Sequence, residues 1–432
     1  MAQLSDDCFA FGGDLMSVAA AQDALRQRIS AVVDTQTVAL GAAGGKILAE
    51  DVTAPLNVPA HDNSAVDGYA VYFDDLDPTG ETSLPVTGRV AAGHPLDRPA
   101  KPGEAIRIFT GAPVPVGESG PGGDIGPGPD TIMMQEDCRE ESGRVIIQPG
   151  IERGANRRFA GEDVRAGDVV LSAGCRLQPQ TIGLAASVGR ETLRVYKPLR
   201  VAVFSTGDEV REPGAALPPG AIYDSNRFTL MAALTHMGCQ ATDLGILPDR
   251  LDTIQAAIGE AAATHDLLLT SGGVSMGDED HVKTAVDAQG SLDFWRLAIK
   301  PGRPVALGRI ETPNGATPIA GLPGNPVAVM VTFLMIARPL ILLLSGCPNI
   351  DPIRYRVRSG FEYAKKQGRR EFVRARIVTD DGEPVAQKHG RGGAGVLSSL
   401  VGADGFVDLP EDTTHLDTGG MIDFLPFTEV LN

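Results

Sequence analysis

Arg200-Val201-Ala202-Val203-Phe204-Ser205 runs straight into Thr206-Gly207-Asp208-Glu209. Four consecutive apolar residues, without the alternation of a one-sided strand, indicate a strand buried on both faces, and the polar, glycine-bearing loop marks its end. Asp224 or Ser225 can then cap a helix that stops near Gly238, Cys239 to Leu247 reads as a second strand, and Leu251 to Ala263 as a second helix. Asp266-Leu267-Leu268-Leu269-Thr270 is a third strand. Strand, loop and helix in this order predict βαβ units around a mostly parallel sheet with helices on both faces, a central three-layer α/β domain.

Outward from this centre the texture changes. Toward the N-terminus, Val52 to Arg165 carries short strand-like runs such as Ala105-Ile106-Arg107-Ile108-Phe109 and Thr131-Ile132-Met133-Met134, punctuated by Gly and Pro, which reads as a β-rich domain. Within it Glu118 to Asp130 has no apolar period and is expected to be a flexible surface loop or insertion. Ser17 to Val33 reads as a helix from the spacing of Val18, Ala21, Leu25, Ile29 and Val33. Val327 to Leu344 is almost entirely apolar, but Asn325-Pro326 begins it as a capped soluble helix and Arg338-Pro339 interrupts it, so a buried, kinked core helix is expected rather than a membrane span. After Pro348 the texture is β again, with a basic opening of 11 Lys and Arg against 6 Asp and Glu from Asp351 to Arg391.

Composition narrows the function. The 432 residues correspond to roughly three domains of average size. With 38 Lys and Arg against 55 Asp and Glu the net charge is −17, which argues against a broad nucleic-acid surface, although a local anion pocket stays open. The five cysteines have no C-x-x-C spacing, which disfavours a zinc or iron–sulfur site and suits a reducing, cytoplasmic setting. Met1 to Asp7 is acidic where a secretory leader needs basic residues, so export by that route is not expected.

Ligands of an open parallel sheet bind beyond the carboxyl ends of its strands. The loops there are Ser205 to Glu209, the turn holding Asp249, Ser271-Gly272-Gly273-Val274-Ser275-Met276-Gly277-Asp278-Glu279-Asp280, Lys300-Pro301-Gly302-Arg303-Pro304 and Gly321-Leu322-Pro323-Gly324-Asn325-Pro326. Glycine and hydroxyl residues suit an anion, the carboxylates suit Mg²⁺, and Lys300 and Arg303 suit phosphate; each loop alone is equally an ordinary turn. Gly41 to Lys46 imitates a phosphate-binding P-loop, but its spacing is short and Ile47 stands where Ser or Thr is required. Gly273-Val274-Ser275-Met276-Gly277 matches a nucleophile elbow, with His389 or His415 as a late histidine. Asp278, Glu279 and Asp280 oppose an oxyanion there, which leaves a serine hydrolase as a minor alternative.

The ordered strings DNSAVDGYA from Asp62, TGAPVP from Thr110, MMQE from Met133, GEDV from Gly161, FSTGDE from Phe204, YDSNR from Tyr223, SGGVSMG from Ser271, LAIKPGRP from Leu297 and GLPGNP from Gly321 resemble the MoeA and gephyrin E-domain family of molybdopterin molybdotransferases. The resemblance implies four domains: a discontinuous N-terminal linker domain (1–55 and 164–198), a β-rich domain (56–163), an α/β molybdopterin-binding domain (199–347) and a C-terminal β-barrel-like domain (348–432). It also implies an elongated homodimer whose cleft combines the α/β domain with the second domain of the partner. The implied reaction moves molybdenum from molybdate onto adenylylated molybdopterin with Mg²⁺-dependent release of AMP.

By this resemblance Asp67, Thr110, Glu209, Asp249, Asp280 and Lys300 are the reactive set, and Asp67, Glu209, Asp249, Asp280, Glu162 and Asp163 the metal-handling set. Ser271, Gly272, Gly273, Ser275, Arg296, Arg303, Pro323, Gly324, Asn325 and Pro326 hold the pterin and its phosphate. Transient contacts with a molybdopterin adenylyltransferase and with apo-molybdoenzymes follow from such a role. The sequence departs from the family's pattern at Arg296, where lysine is common, at Phe159-Ala160 before GED, in Gly390 to Gly395, which lacks an expected serine, and in the insertion at Glu118 to Asp130. The alternative from another class is a non-catalytic cofactor carrier or scaffold, for which the carboxylates need not converge.

Overall fold

The computed structural model describes residues 15–119, 126–272 and 281–430. They form two compact units, each assembled from separated stretches of chain: one of residues up to 50 with 173–177 and from 193 onward, the other of 51–172 with 178–192.

The first unit is built on a seven-stranded sheet in the order Leu15–Met16, Gly290–Leu297, Pro304–Thr312, Gly315–Leu322, Leu267–Ser271, Arg200–Thr206, Gln240–Leu247. Only Pro304–Thr312 runs against the others, so the sheet is mostly parallel, as expected. The helices Asn226–His236 and Leu251–Thr264 connect its strands. Leu267, Leu269, Val201 and Val203 pack into one buried cluster and Leu268, Ala202 and Phe204 into another, which is why these strands carry unbroken apolar runs.

Pro326–Leu344 is the one helical stretch among the described residues long and apolar enough to cross a membrane, and 89% of it is buried inside the protein. The sequence reading expects an interruption at Arg338-Pro339; just before it the helix widens into a π turn over Phe333–Ala337 and then continues as Arg338–Leu344. Pro339 has no N–H for the carbonyl of Met335, four residues back. Gln22, from the helix Val18–Arg28, supplies the missing donor: its Nε2 lies 3.0 Å from that oxygen in a buried position. Replacing Gln22 by leucine keeps the volume and strands the carbonyl, so the urea midpoint should fall by the equivalent of about 1–3 kcal/mol. An unchanged midpoint would refute the assignment.

The expected helix over Ser17 to Val33 ends at Arg28, earlier than its periodicity suggests. Ile29 is already extended, and the N–H of Val32 bonds the carbonyl of Leu344 at 3.0 Å. A long-range partner captures the segment.

Toward the C-terminus, Tyr355–Ser359, Arg370–Asp380, Glu383–Lys388, Gly405–Leu409 and Met421–Pro426 close into a five-stranded barrel, because Arg370–Asp380 pairs with both Glu383–Lys388 and Gly405–Leu409. Val357, Val373, Ala375, Val407, Ile422 and Phe424 are part of its core. The basic opening of this region is partly internal: fully buried Asp408 takes Arg354 at 2.9 Å and Arg370 at 2.6 Å.

The second unit carries a six-stranded sheet in the order Thr131–Met134, Gly68–Val71, Ala105–Ile108, Thr82–Val90, Arg144–Ile147, Cys138–Glu141. Gly68 is needed there: a Cβ would sit 1.7 Å from the carbonyl oxygen of Met133 on the neighbouring strand. The stretch expected as a flexible insertion has a closed stem, in which Gly117 N–H donates to Gly126 O at 3.1 Å and Gly126 N–H to Glu118 O at 3.0 Å. Residues 120–125 of it lie outside the described residues.

Candidate functional site

Parallel strands deliver their carboxyl ends to one edge. Thr206, Leu247, Ser271 and Leu322 end adjacent strands, so Gly207 to Glu209, Asp249, Gly272 and Pro323 to Pro326 follow at that edge of the first unit. Gly290–Leu297 runs the same way and delivers Lys300, while Arg303 precedes the antiparallel strand. The edge expected from sequence is present. Gly273, Ser275 and Asp280 lie outside the described residues. Arg296 lies within its strand, opposite Pro304 and Leu15, and is exposed.

Three hydrogen bonds weld the loops together. Asn226 Nδ2, at the start of its helix, donates to Ser271 Oγ at 2.8 Å and to Gly324 O at 2.7 Å, and Gly272 N–H donates to Leu322 O at 3.1 Å. The Ser205–Glu209 loop is held by strand pairing of Val210–Arg211 with Ile222–Tyr223 and by Ile222 N–H on Glu209 O at 2.8 Å. Gly207 has φ +132°, and a Cβ there would meet the Glu209 carboxylate at 2.6 Å, so that side chain folds back across its own turn. Ser205 Oγ and Thr206 Oγ1 are buried at this strand end with no hydrogen-bond partner among the described residues. Buried hydroxyls are rarely left unbonded, and at a ligand-binding edge a phosphate or metal-bound oxygen is a natural partner. Glu209 and Asp249 are exposed beside them.

Beneath this edge lies Arg227. Its Nε meets Asp224 at 2.9 Å, one terminal nitrogen meets Asp243 at 2.5 Å and the other Glu212 at 2.6 Å. Three carboxylates hold its pKa above the usual arginine value despite burial.

Lys300 is less free than its motif suggests. Ile299–Lys300 pairs in parallel with Arg370 and Glu371 of the barrel strand, and Lys300 Nζ lies 3.0 Å from Glu371 Oε2. Tyr363 OH donates to the same oxygen at 3.0 Å. Lys300, Pro301 and Gly302 line a cavity of about 270 Å³ together with Tyr363, Glu371, Arg374, Lys388 and Gly392 to Ala394. Arg374 clamps that glycine loop through the carbonyls of Gly393 at 2.9 Å and Arg391 at 3.0 Å, and Val327 N–H holds Ala394 O at 2.9 Å. Glu371, Tyr363 and Arg374 were missed by the sequence reading, because no local pattern links them to Lys300.

In the second unit, the register of Gly68 opposite Ile108 places Asp67 beside the loop that carries Thr110. Thr110 donates both its N–H and its hydroxyl to Asp67 Oδ1, each at 2.8 Å. The two bonds, with the nearby Arg107 charge, hold the Asp67 pKa below the usual carboxylate range. Glu162 accepts the N–H of Phe159 at 2.9 Å and pairs with Arg158, which lowers its pKa too, so it is spent within its own turn; Asp163 is exposed.

Among the described residues, no three of His, Cys, Asp and Glu gather closely enough to hold a metal by themselves. Of the expected metal-handling set, Asp280 lies outside the described residues. The P-loop imitation is set aside structurally: Gly45 N–H is bonded to Leu177 O at 2.8 Å and Lys46 N–H to Ala43 O at 3.1 Å. For the hydrolase alternative, Ser275 lies outside the described residues, and His415 is paired with Asp417 at 3.1 Å in the C-terminal region.

A parallel sheet with anion-suited strand ends, joined in one chain to a closed barrel and a separate β-rich unit, defines a multidomain α/β ligand-binding protein with the parts of a group-transfer enzyme. Residues 16–189 match the MoeA N-terminal region (domains I and II), 202–342 a probable molybdopterin binding domain, and 356–427 the MoeA C-terminal region (domain IV). The chain is 35% identical over 420 residues to a molybdopterin molybdenumtransferase of Haemophilus influenzae, covering 96% of this chain and 100% of the relative. It is 36% identical over 393 residues to molybdopterin molybdenumtransferase 2 of Mycobacterium tuberculosis, covering 89% and 93%. Among solved structures it resembles a molybdopterin biosynthesis MoeA protein of Pyrococcus horikoshii, with TM-score 0.78, 26% identity, and coverage of 96% and 100%. The chain belongs to the MoeA family of molybdopterin molybdenumtransferases.

Proposed function

We propose that this protein transfers molybdenum from molybdate to the dithiolene of adenylylated molybdopterin and releases AMP. The observation that supports this most is the convergence at one sheet edge of the Ser205–Glu209, Asp249, Ser271–Gly272 and Pro323–Pro326 loops, with two buried hydroxyls that have no partner among the described residues, in a chain similar to a transferase over 96% of its length. In this reading Ser271, Gly272, Pro323, Gly324, Asn325 and Pro326 cradle the pterin phosphate, a role the sequence also assigns to Gly273 and Ser275, and Lys300, Arg303 and Arg296 balance its charge. Asp67, steadied by Thr110, and Asp280 handle protons at the molybdate oxo groups.

The residues at the edge fit Mg²⁺: Glu209 and Asp249 are exposed oxygen donors that follow the ends of two adjacent strands, one of which carries the two hydroxyls unsatisfied among the described residues. Two carboxylates leave most of an octahedral shell to substrate oxygens and water, the usual Mg²⁺ arrangement with phosphates. The ion would neutralise charge on the phosphate as AMP leaves. Asp163, and Glu162 once freed from Arg158, remain candidates for a second contact. The reading includes the four domains with the boundaries given above, a homodimer, a cytoplasmic location, and passing contacts with a molybdopterin adenylyltransferase and apo-molybdoenzymes.

The test is a reconstitution with adenylylated molybdopterin, Mg²⁺ and low molybdate. AMP release that depends on molybdate, followed by activation of an apo-molybdoenzyme, is expected. Tight cofactor binding with neither event would make the protein a carrier or scaffold.

A further inference from the structure

We propose that Glu371, in the C-terminal barrel, is a positioning residue for Lys300, and that the barrel thereby sets where the lysine charge meets an anionic substrate. The proposal deepens the transferase reading and rests on it for the role of Lys300. Glu371 is 3% exposed and Lys300 at the other end of the ion pair is 52% exposed, and both line the cavity. A lysine on an open surface has four free rotors and about 2 kcal/mol of rotamer entropy to lose when it engages a ligand.

Here that freedom is already reduced before any ligand arrives. The strand pairing of Ile299–Lys300 with Arg370–Glu371 fixes the backbone, Arg370 N–H reinforces it on Ala298 O at 2.8 Å, and the carboxylate fixes the ammonium. Tyr363 OH, on the same Glu371 oxygen, keeps the carboxylate from turning away. Lysine retains two further N–H donors beyond the one given to Glu371, and these are available to a phosphate or other oxyanion in the cavity. Arg374 and Lys388, which also line the cavity, add positive charge.

Two effects of removing the Glu371 charge oppose each other. Loss of a carboxylate near an anion site favours anion binding by simple electrostatics, whereas loss of placement disfavours it. Glu371 lines the same cavity but is almost wholly buried, whereas the ammonium is half exposed and carries the N–H donors an anion needs, so placement should dominate.

The assay above, run on wild type, Glu371→Gln and Glu371→Asp, separates the effects. Glutamine removes the charge at constant shape, and aspartate keeps the charge but withdraws it by one methylene. Both variants should raise the KM for adenylylated molybdopterin about tenfold with kcat within about threefold of wild type. An unchanged or lower KM in Glu371→Gln, or a wild-type KM in Glu371→Asp, would overturn the proposal.

A second readout is independent of turnover. The rate of Lys300 acetylation by acetic anhydride, followed by peptide mass spectrometry on the folded protein without substrate, should rise severalfold in Glu371→Gln and not at the exposed Lys366. An equal rate in wild type and variant would overturn the positioning role. An inactive wild type with a clear labelling difference would instead overturn the transferase reading while leaving the Glu371–Lys300 coupling standing.

Discussion

Replacing Arg227 with methionine should cost the protein about 3–5 kcal/mol, the range seen when one partner of a buried ion pair is removed. Arg227 and Asp224 are each 3% exposed, and Asp243 and Glu212 close on the same guanidinium. Without the cation, three carboxylates remain near one point, and at least Asp224 stays buried without its counter-charge. Methionine fills the volume but compensates none of this. Lysine restores one charge without the planar fork that reaches three acceptors, so Arg227→Lys should fall between the two. Equilibrium urea denaturation reads the difference, and a midpoint within error of wild type for Arg227→Met would sink the argument. The damage extends to the ligand edge, because Asn226, the preceding residue, holds Ser271 and Gly324.

The same network shows what sequence can and cannot carry. The strand at Arg200–Thr206 and the helix at Leu251–Thr264 were legible within a residue or so, because burial on two faces and a 3.6-residue period are local patterns. The ligand edge was legible for the same reason: a parallel sheet fixes where its loops emerge. By contrast the hairpin of Pro304–Thr312 with Gly315–Leu322 was not singled out, since its inner positions are as apolar as any buried helix. Gln22 beneath Pro339 and Glu371 behind Lys300 are both polar residues whose meaning lies in a partner distant in sequence. Spacing along the chain does not encode such pairs; the helix that ends early at Arg28 belongs with them.

Charge arithmetic was informative in one direction only. A net charge of −17 disfavours a duplex-binding face, yet it does not locate the cations that matter. Arg354 and Arg370 look like surface charge in the sequence and are bound to buried Asp408, so part of the local basic surplus is structural. Arg374 and Lys388, from the same stretch, face the cavity beside Lys300. Only the barrel's closure divides one group from the other.

Asp67→Asn should reduce molybdate-dependent AMP release by about 10²–10⁴-fold, the span typical of losing a positioned proton-transfer group. Asparagine preserves shape and still offers an oxygen to Thr110 N–H and Oγ1, both now at 2.8 Å from Asp67 Oδ1, so the loop should hold and the thermal midpoint should barely move. Thr110→Val is the graded counterpart: it removes the hydroxyl bond, retains the backbone bond, and should cost less. The pH dependence follows from the same two bonds. They depress the Asp67 pKa in the folded protein, so the carboxylate remains ionised throughout the neutral and mildly acidic range, and its protonation enters only as pH falls below the usual aspartate range. In Thr110→Val, with one bond gone, the acid limb attributed to Asp67 should move to higher pH. Linkage gives the stability term the same sign: present above the unfolded aspartate pKa, lost as pH falls through the depressed folded one. An Asp67→Asn protein that turns over at the wild-type rate, with the acid limb unmoved in Thr110→Val, would remove Asp67 from the chemistry and return the pair to the status of a capped turn.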